Sequence, residues 1–552
     1  MKKRPNILIF NPDQMRADAL GHLGNPAGAT PNLDRFAAED AVSFRNAFCQ
    51  NTVCVPSRCS FFTGLYPHTR GHRTMGYLLG REETSLLKEL KDAGYYVWAN
   101  ARNDLVAGEI PGLMESHVTE LYYGGNAAPA PGTVQENPRG EMGGKNYYSF
   151  YNGELKTIHG KNYTADDEDV DAAIDRILNP ADDRPFCIFL GLLYPHPPYQ
   201  IEEPYFSAID RAKLPPRIPA NEDTKKAKIL SLIRRYQNMQ GYTEKDWDEL
   251  RAVYLGMCMK VDHQFQKICD ALKQAGKYDD TAVIVLSDHG DYTGDYGLVE
   301  KAQNSFEDCL TNVPLLFKLP KWMKTDPGVT ESMAELVDFY ATVMELADVQ
   351  PDHSHFGKSL LPTIGQREKP CRTEVFCEGG RLADERHCSE SCDPGKNDEF
   401  RHVNYWPRYA AQWDDEAHGK GTMIRTLEYK YIYRADGNDE FYDLTQDPGE
   451  QENRADWPEY APEIADMKER MLAWYQNTCD TVPFQANQRF SKKMIWEKVK
   501  HMCPPGDEDK IKEKIEGGMG LFQVQQYCRD LSRNKKAEGK DSREGEVNDR
   551  SV

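Results

Sequence analysis

The sequence has little that would carry it to a membrane or to nucleic acid. Its longest apolar run, FCIFLGLLY from Phe186, is far too short to cross a bilayer. Basic residues are the minority: 68 Lys and Arg stand against 88 Asp and Glu, a formal net charge of −20 at pH 7. A nucleic acid or an anionic lipid surface needs a basic footprint that this chain lacks, so an anionic substrate must be held by a few local cations. The opening MKKRPNILIFNPDQ carries basic residues but no apolar core of the kind a signal peptide has, and reads as a first strand. The 14 cysteines form no regular framework, which suits a reducing compartment, although Cys388 and Cys392 could pair or bind metal. These absences predict a cytoplasmic protein, and no internal repeat is visible.

With 552 residues the chain exceeds one typical domain and has enough apolar and aromatic content for a large core. NILIF from Asn6, YYVWAN from Tyr95, FCIFLGLLY and AVIVL from Ala282 are short continuous apolar runs, as expected of strands buried on both faces. Helical spacing alternates with them. Thr30 caps Pro31 and the face Leu33, Phe36, Ala37; SLLKELKDA stops at Gly94; Val170 to Leu178 and the stripe Leu250 to Leu272 follow. This predicts an α/β fold with a large mixed, mostly parallel sheet over residues 1–365. A smaller C-terminal α+β subdomain is expected over 366–480, where MIRTLEYKYIYR alternates as one strand, FYDLTQDPGEQEN is its hairpin partner, and a helix from about Pro462 packs on the sheet. Residues 481–552 read as an extension with short helices, its charged end KKAEGKDSREGEVNDRSV too poor in apolar residues to order itself.

The chain is organised around NTVCVPSRCSFFTG, Asn51 to Gly64. A proline in what reads as a first helical turn places Cys54 at a helix N-terminus, with Arg58 one turn on. Free backbone N–H groups and a nearby guanidinium would lower a thiol's pKa there, whereas the ordinary alternative is a buried structural cysteine. Each of the four apolar runs ends in polar residues: Asp13 and Gln14, Arg102 to Asp104, His196, and Asp288 with His289. In open parallel sheets ligands sit beyond the strands' carboxyl ends, so strands of one sheet would bring these residues together beside Cys54.

CVPSRCSFFTG resembles the signature of the type I sulfatases, members of the alkaline phosphatase superfamily. Further blocks in the same order, PNILIFNPDQMRADALG, TPNLDRFA, LKDAGY, PHPPY, SDHGDYTGDYG with Lys301, VDFYATVMELA and EYKYIYRADGNDEFYDLTQDPGE, extend the likeness from residue 5 to about 453. The resemblance implies an alkaline phosphatase-like fold and conversion of Cys54 by a maturation enzyme to formylglycine, an aldehyde that hydrates to a diol. It further implies a divalent cation held by Asp13, Asp288, His289 and the group at Cys54, with Gln14 as a possible further ligand. Calcium is the first expectation, with manganese or magnesium as alternatives for oxygen ligands. In the implied reaction one diol hydroxyl attacks sulfur, Arg58 holds the diol, Lys301 and Arg102 neutralise the sulfate, and His196 protonates the leaving oxygen. Deprotonation of the second hydroxyl then expels sulfate and restores the aldehyde.

Two departures bear on the substrate. Many sulfatases carry a second metal-binding Asp where Gln14 stands, and DQ with DH resembles the phosphonate monoester hydrolase and choline sulfatase branches. Arg102 and Asp104 stand where a Lys and a His are common; arginine still clamps an oxyanion, whereas Asp104 would suit sugar hydroxyls, with Asn103 beside it as a further substrate contact. The expected substrate is therefore a sulfated carbohydrate such as a glycosaminoglycan fragment, with Tyr122, Tyr123, Tyr147 and Tyr148 offered to sugar rings. The rival readings are a phosphonate monoester or phosphodiester hydrolase on the same scaffold, and a non-catalytic thiol or binding protein in which Cys49, Cys54 and Cys59 are structural or ligate metal.

Overall fold

The computed structural model describes residues 3–124, 139–156, 164–221, 225–390, 399–484 and 488–545, with side chains to 536. Cys392 and parts of the segment between Tyr122 and Tyr163 lie outside these residues. The chain forms two compact units, Met1–Thr481 and Val482–Val552.

In the first unit, eight strands make one sheet: β1 (Asn6–Asp13), β2 (Val42–Phe48), β3 (Tyr96–Asn100), β4 (Glu120–Tyr122), β6 (Phe186–Pro195), β8 (Thr281–Leu286), β9 (Leu315–Lys318) and β10 (Gly328–Glu335). Between them in sequence, β5 (Tyr151–Glu154) and β7 (Tyr199–Ile201) form a separate parallel pair. The large sheet has the order β10-β2-β9-β8-β1-β6-β3-β4, parallel except where β9 meets β2 and β8. The four apolar runs are thus its adjacent central strands β8, β1, β6 and β3, and their carboxyl ends open on one edge. Their continuous apolar character follows from burial on both faces. One face packs Phe61 and Phe62 of helix α1 (Cys54–Thr63) against Phe339. The opposite face packs α2 (Ala165–Leu178) and the long α3 (Glu244–Gln274), whose Phe265 meets Phe10 edge to face at 5.4 Å. Helix α4 (Val337–Ala347) carries Phe339.

All ten residues of α1 are buried, so the helix has no solvent face and is sealed by neighbours on every side. It stops at Gly64, whose φ of 69° and lack of a side chain are both needed, because a Cβ there would lie 2.8 Å from the Tyr340 ring.

The small antiparallel sheet has the order β11 (Val375–Gly379), β12 (Gly421–Arg425), β13 (Tyr429–Arg434), β14 (Glu440–Asp443). The alternating MIRTLEYKYIYR, expected as one strand, is two strands folded about Thr426 to Glu428, where the Thr426 hydroxyl accepts the Tyr429 N–H at 2.9 Å. Alternation survives the turn, which is why the sequence pattern conceals it. Between β11 and β12 lies α5 (Trp406–Gln412), and α6 (Ala461–Thr478) covers the small sheet through Ile464, Met467, Met471 and Trp474. Residues 366–480 do not stand apart, since they share a compact unit with the large sheet. Ion pairs hold the two together, among them the buried Arg372 to Asp338 at 2.5 Å and the buried Lys430 to a half-buried Asp308 at 2.7 Å.

The second unit has its own core of Ile495, Val499, Ile511, Ile515, Val524 and Cys528 on α7 (Lys492–Val499), α8 (Glu508–Glu516) and α9 (Leu521–Gly545). Helix α9 runs farther into the charged end than its composition predicts. No helix among the described residues is long and apolar enough to cross a membrane.

Candidate active site

At the carboxyl edge of the large sheet one ligand atom each from Asp13, Cys54, Asp288 and His289 lies within 4.8 Å of the others, and all four residues are buried. Asp13 ends β1, Asp288 and His289 follow β8, and Cys54 opens α1. Right after His289 the backbone runs against the Cys309–Leu310 segment, which requires Gly290, where a Cβ would fall 1.9 Å from the Cys309 carbonyl oxygen.

Arg58, one turn along α1, spans two of these carboxylates: its Nε donates to Asp288 Oδ2 at 2.8 Å and its Nη2 to Asp13 Oδ2 at 2.9 Å. Arg102 adds a second guanidinium on Asp13 Oδ2 at 2.7 Å. Asp288 Oδ1 accepts the backbone N–H groups of Gln14 and His289, both at 3.1 Å. Burial alone would raise the pKa of Asp13, but Arg102, His196, Arg58 and Lys301 outweigh it and hold the carboxyl well below its usual range. His289 Nδ1 faces the Gly290 carbonyl at 3.0 Å and must donate to it, which leaves Nε2 as the lone-pair nitrogen 3.2 Å from Cys54 Sγ. Burial lowers the pKa of this imidazole, so the neutral ligand form is favoured.

The donors suit a hard divalent cation. Two carboxylates and a neutral imidazole nitrogen converge, and Arg58 steadies both carboxylates from outside through oxygens already oriented by hydrogen bonds.

Lys301 reaches the same point from the loop after β8, its Nζ donating to Cys54 Sγ at 3.3 Å and to Gln14 Oε1 at 2.7 Å. Its pKa is raised despite burial, by Cys54, Glu300 and Asp13, so it is a fixed positive charge. The thiol itself departs from the helix-terminus expectation. Burial, then Asp13, push the Cys54 pKa well above the usual thiol range, and the opposing Lys301 does not compensate. An N-terminal position lowers a thiol's pKa only when no desolvation and no pair of carboxylates work against it.

The family model described as Sulfatase matches residues 5–349. The chain belongs to the sulfatase family. It is 27% identical over 86% of its length, and 96% of the other chain, to the multifunctional alkaline phosphatase superfamily protein PehA of Trinickia caryophylli. Its fold matches the phosphonate monoester hydrolase of Agrobacterium radiobacter with a TM-score of 0.67 at 23% identity, covering 88% of this chain and 100% of that one. A protein solved with its substrate D-glucosamine-2-N,6-O-disulfate matches with a TM-score of 0.64 at 19% identity, over 86% and 98% of the two chains. A sulfatase is a sulfuric ester hydrolase, and the mostly parallel sheet with its antiparallel C-terminal companion is the alkaline phosphatase-like architecture of these neighbours.

The remaining sequence-derived positions of this sulfatase divide by how their side chains are occupied. His196 follows β6 on a loop whose Pro197 carbonyl takes its Nδ1 proton at 2.6 Å, leaving Nε2 as the second nitrogen. Burial and Lys301, against the pull of Asp13, lower its pKa well below the usual histidine value. Asp104 sits beyond β3 with φ of 47°, half-buried, its carboxylate accepting no hydrogen bond among the described residues. Asn103, expected as a substrate contact, also braces its own loop: its Oδ1 accepts from the Leu105 and Val106 N–H groups and its Nδ2 donates to the Ala101 carbonyl. Gln14 likewise spends its amide within the protein, on Lys301 and, through Nε2 at 2.6 Å, on Asp291.

Asp291 escaped the sequence reading although it lies three residues past Asp288 in SDHGDYTGDYG. It accepts from Gln14, from the Tyr199 hydroxyl at 2.7 Å and from Thr293, and burial pushes its pKa up to about 6. The tyrosines offered to sugar rings are largely engaged elsewhere. Tyr148 stacks on Trp406 at 5.5 Å and donates to the Arg401 carbonyl, Tyr147 packs edge-on against Tyr148, Tyr122 stacks on Trp98, and Tyr123 donates to Glu115.

Proposed function

We propose that this sulfatase hydrolyses the sulfate ester of a sulfated saccharide, with Cys54 converted to formylglycine and a divalent cation, calcium first, at Asp13, Asp288, His289 and the residue at position 54. The observation that carries the reading is the convergence of those four side chains within 4.8 Å, with the Lys301 ammonium 3.3 Å from Cys54 Sγ. A bound cation would supply a Lewis-acidic charge that offsets the anionic ester and the developing negative charge. The hydrated aldehyde would supply the nucleophile that takes sulfur from the alcohol, and its second hydroxyl the route by which sulfate leaves. The chain's own groups do the rest. Arg58 keeps Asp13 and Asp288 oriented, and Lys301 and the partly exposed Arg102 bring positive charge to the sulfate oxygens.

Burial, then Lys301 and Arg102, disfavour the protonated form of His196, and an anionic ester that offsets the two cations' field would fit it to the acid's role for the departing oxygen. Asp104, with an uncommitted carboxylate beside Arg102, fits a sugar hydroxyl. The neighbour bound to D-glucosamine-2-N,6-O-disulfate supports a saccharide substrate. One specific feature favours a second reading: a neutral Gln14 in place of a further carboxylate, together with the likeness to the phosphonate monoester hydrolase, suits an aryl phosphonate ester.

The deciding experiment uses protein matured by a formylglycine-generating enzyme, its aldehyde content read from intact mass. Turnover is compared on 4-nitrophenyl sulfate, a panel of sulfated mono- and disaccharides, and a phenyl phosphonate ester. Preference for a sulfated sugar supports the proposal; a phosphonate ester cleaved faster than every sulfate overturns it in favour of the second reading.

A further inference from the structure

We propose that Tyr405 is a specificity-determining residue whose hydroxyl hydrogen-bonds the sugar carrying the scissile sulfate. The inference rests on the saccharide reading above, and it concerns a segment beyond the 5–349 family match.

Tyr405 immediately precedes α5, whose Arg408 pairs with Glu300, itself the neighbour and ion partner of Lys301. Its ring is held from two sides. Phe150 packs against it at 5.2 Å, and the Arg408 guanidinium lies 4.9 Å from the ring centroid. Both supports are themselves fixed. Phe150 adopts a φ of 57°, a left-handed conformation costly for an aromatic residue and found where surrounding structure over-determines it. Arg408 is buried between the carboxylates of Glu300, to which it donates a short hydrogen bond, and Glu390 at 2.6 Å. Glu300 in turn lies 3.5 Å from Lys301 Nζ, which donates to Cys54 Sγ. A continuous series of contacts therefore ties the tyrosine to the reacting position.

The hydroxyl itself is left over. Most largely buried tyrosines find a partner for the O–H. Tyr405 is half-buried, and its hydroxyl makes no hydrogen bond among the described residues. It also lies close enough for the charges of Glu300, Lys301, Arg408 and Cys54 to act on it. Burial and then Glu300 raise its pKa, so it remains a donor at neutral pH. A fixed, protonated, partnerless hydroxyl beside a site for a sulfate ester is suited to a neutral hydroxyl or ether oxygen of the substrate, since the sulfate's charge is already met by Lys301 and Arg102.

The test is Tyr405→Phe, which keeps the ring and removes only the oxygen. Wild type and variant, matched for aldehyde content and melting temperature, are compared on 4-nitrophenyl sulfate and on the sulfated sugar that wild type turns over fastest. The expected result is a fall in kcat/KM of about tenfold on the sugar, mostly in KM, the effect of one lost neutral hydrogen bond, with the aryl sulfate within about twofold. Deoxy analogues of that sugar should include one that costs wild type a similar factor and the variant nothing further. Equal losses on both substrates, or no loss on the sugar, overturn the proposal. If wild type cleaves the aryl sulfate but no sugar, the saccharide reading fails and takes this inference with it; if it cleaves sugars and the variant matches it, only the role of Tyr405 falls.

Discussion

Removing Arg58 tests whether one guanidinium holds the site together. It is fully buried and bridges Asp13 and Asp288, two carboxylates with no solvent exposure. Arg58→Met would leave both charges buried with fewer partners. Breaking such a pair costs about 3–5 kcal/mol. Arg58→Lys keeps the charge but offers one ammonium where the fork meets two acceptors, so one charge-assisted hydrogen bond is lost, about 1.5–3 kcal/mol. Asp13 retains Arg102 at 2.7 Å, whereas Asp288 keeps only backbone donors, so the loss falls mainly on Asp288. An unfolding entropy of about 2.1 cal/mol/K per residue over the unit Met1–Thr481 is about 1 kcal/mol/K, which converts these costs to drops of about 3–5 °C and about 2–3 °C. Activity should suffer more, since displacing reacting groups by about 1 Å costs on the order of a hundredfold. The assay is calorimetric melting of each variant together with aryl sulfate turnover per mole of aldehyde, because Arg58 also lies in the stretch that a maturation enzyme must read. An Arg58→Met protein that melts within about 1 °C of wild type, and turns over within about tenfold per aldehyde, would refute the bridging argument.

Lys301→Met should lower aldehyde-normalised kcat by about 10²–10³ through loss of a fixed charge at the reacting group, and a fall of less than about fivefold would remove Lys301 from the mechanism. Before maturation, the Cys54 thiol of the folded protein should resist alkylation at pH 7.5 while the unfolded chain reacts fully, because burial and Asp13 raise its pKa; rapid labelling in the native state counts against the structure's account. Calcium at about 100 times its dissociation constant should stabilise the chelator-treated protein by about 2.7 kcal/mol, about 3 °C on the same scale, and Asp288→Asn should lose most of that shift. Asp169, buried beside Asp166 and Glu168 with its pKa pushed up to about 6, binds its proton more tightly folded than unfolded. Its contribution is therefore complete below about pH 4 and is lost as pH rises through 6. Asp169→Asn should raise stability by about 1–2 kcal/mol at pH 8 and leave it unchanged near pH 4, and melting curves at the two pH values decide it.

The sequence by itself determined the strands, the helix that opens at Cys54 and the polar residues at the strand ends. Continuous apolar runs, caps and glycine stops are local signals, and each polar cluster follows its strand within a residue or two. It also determined the family, through the stretch around Cys54. Only the tertiary structure decided that β8, β1, β6 and β3 are neighbours, since strand order depends on crossovers that no local pattern records. It likewise decided the electrical state of the site. The same Cys54 at a helix start could have been acidic or inert, and burial between Asp13 and Asp288 made it inert. Gln14 shows the same limit: whether its amide is spent on its own fold or left for a ligand depends on Lys301 and Asp291, hundreds of positions away. Hydrogen-bond capacity is written in the residue, but its use is settled only when the chain has closed around it.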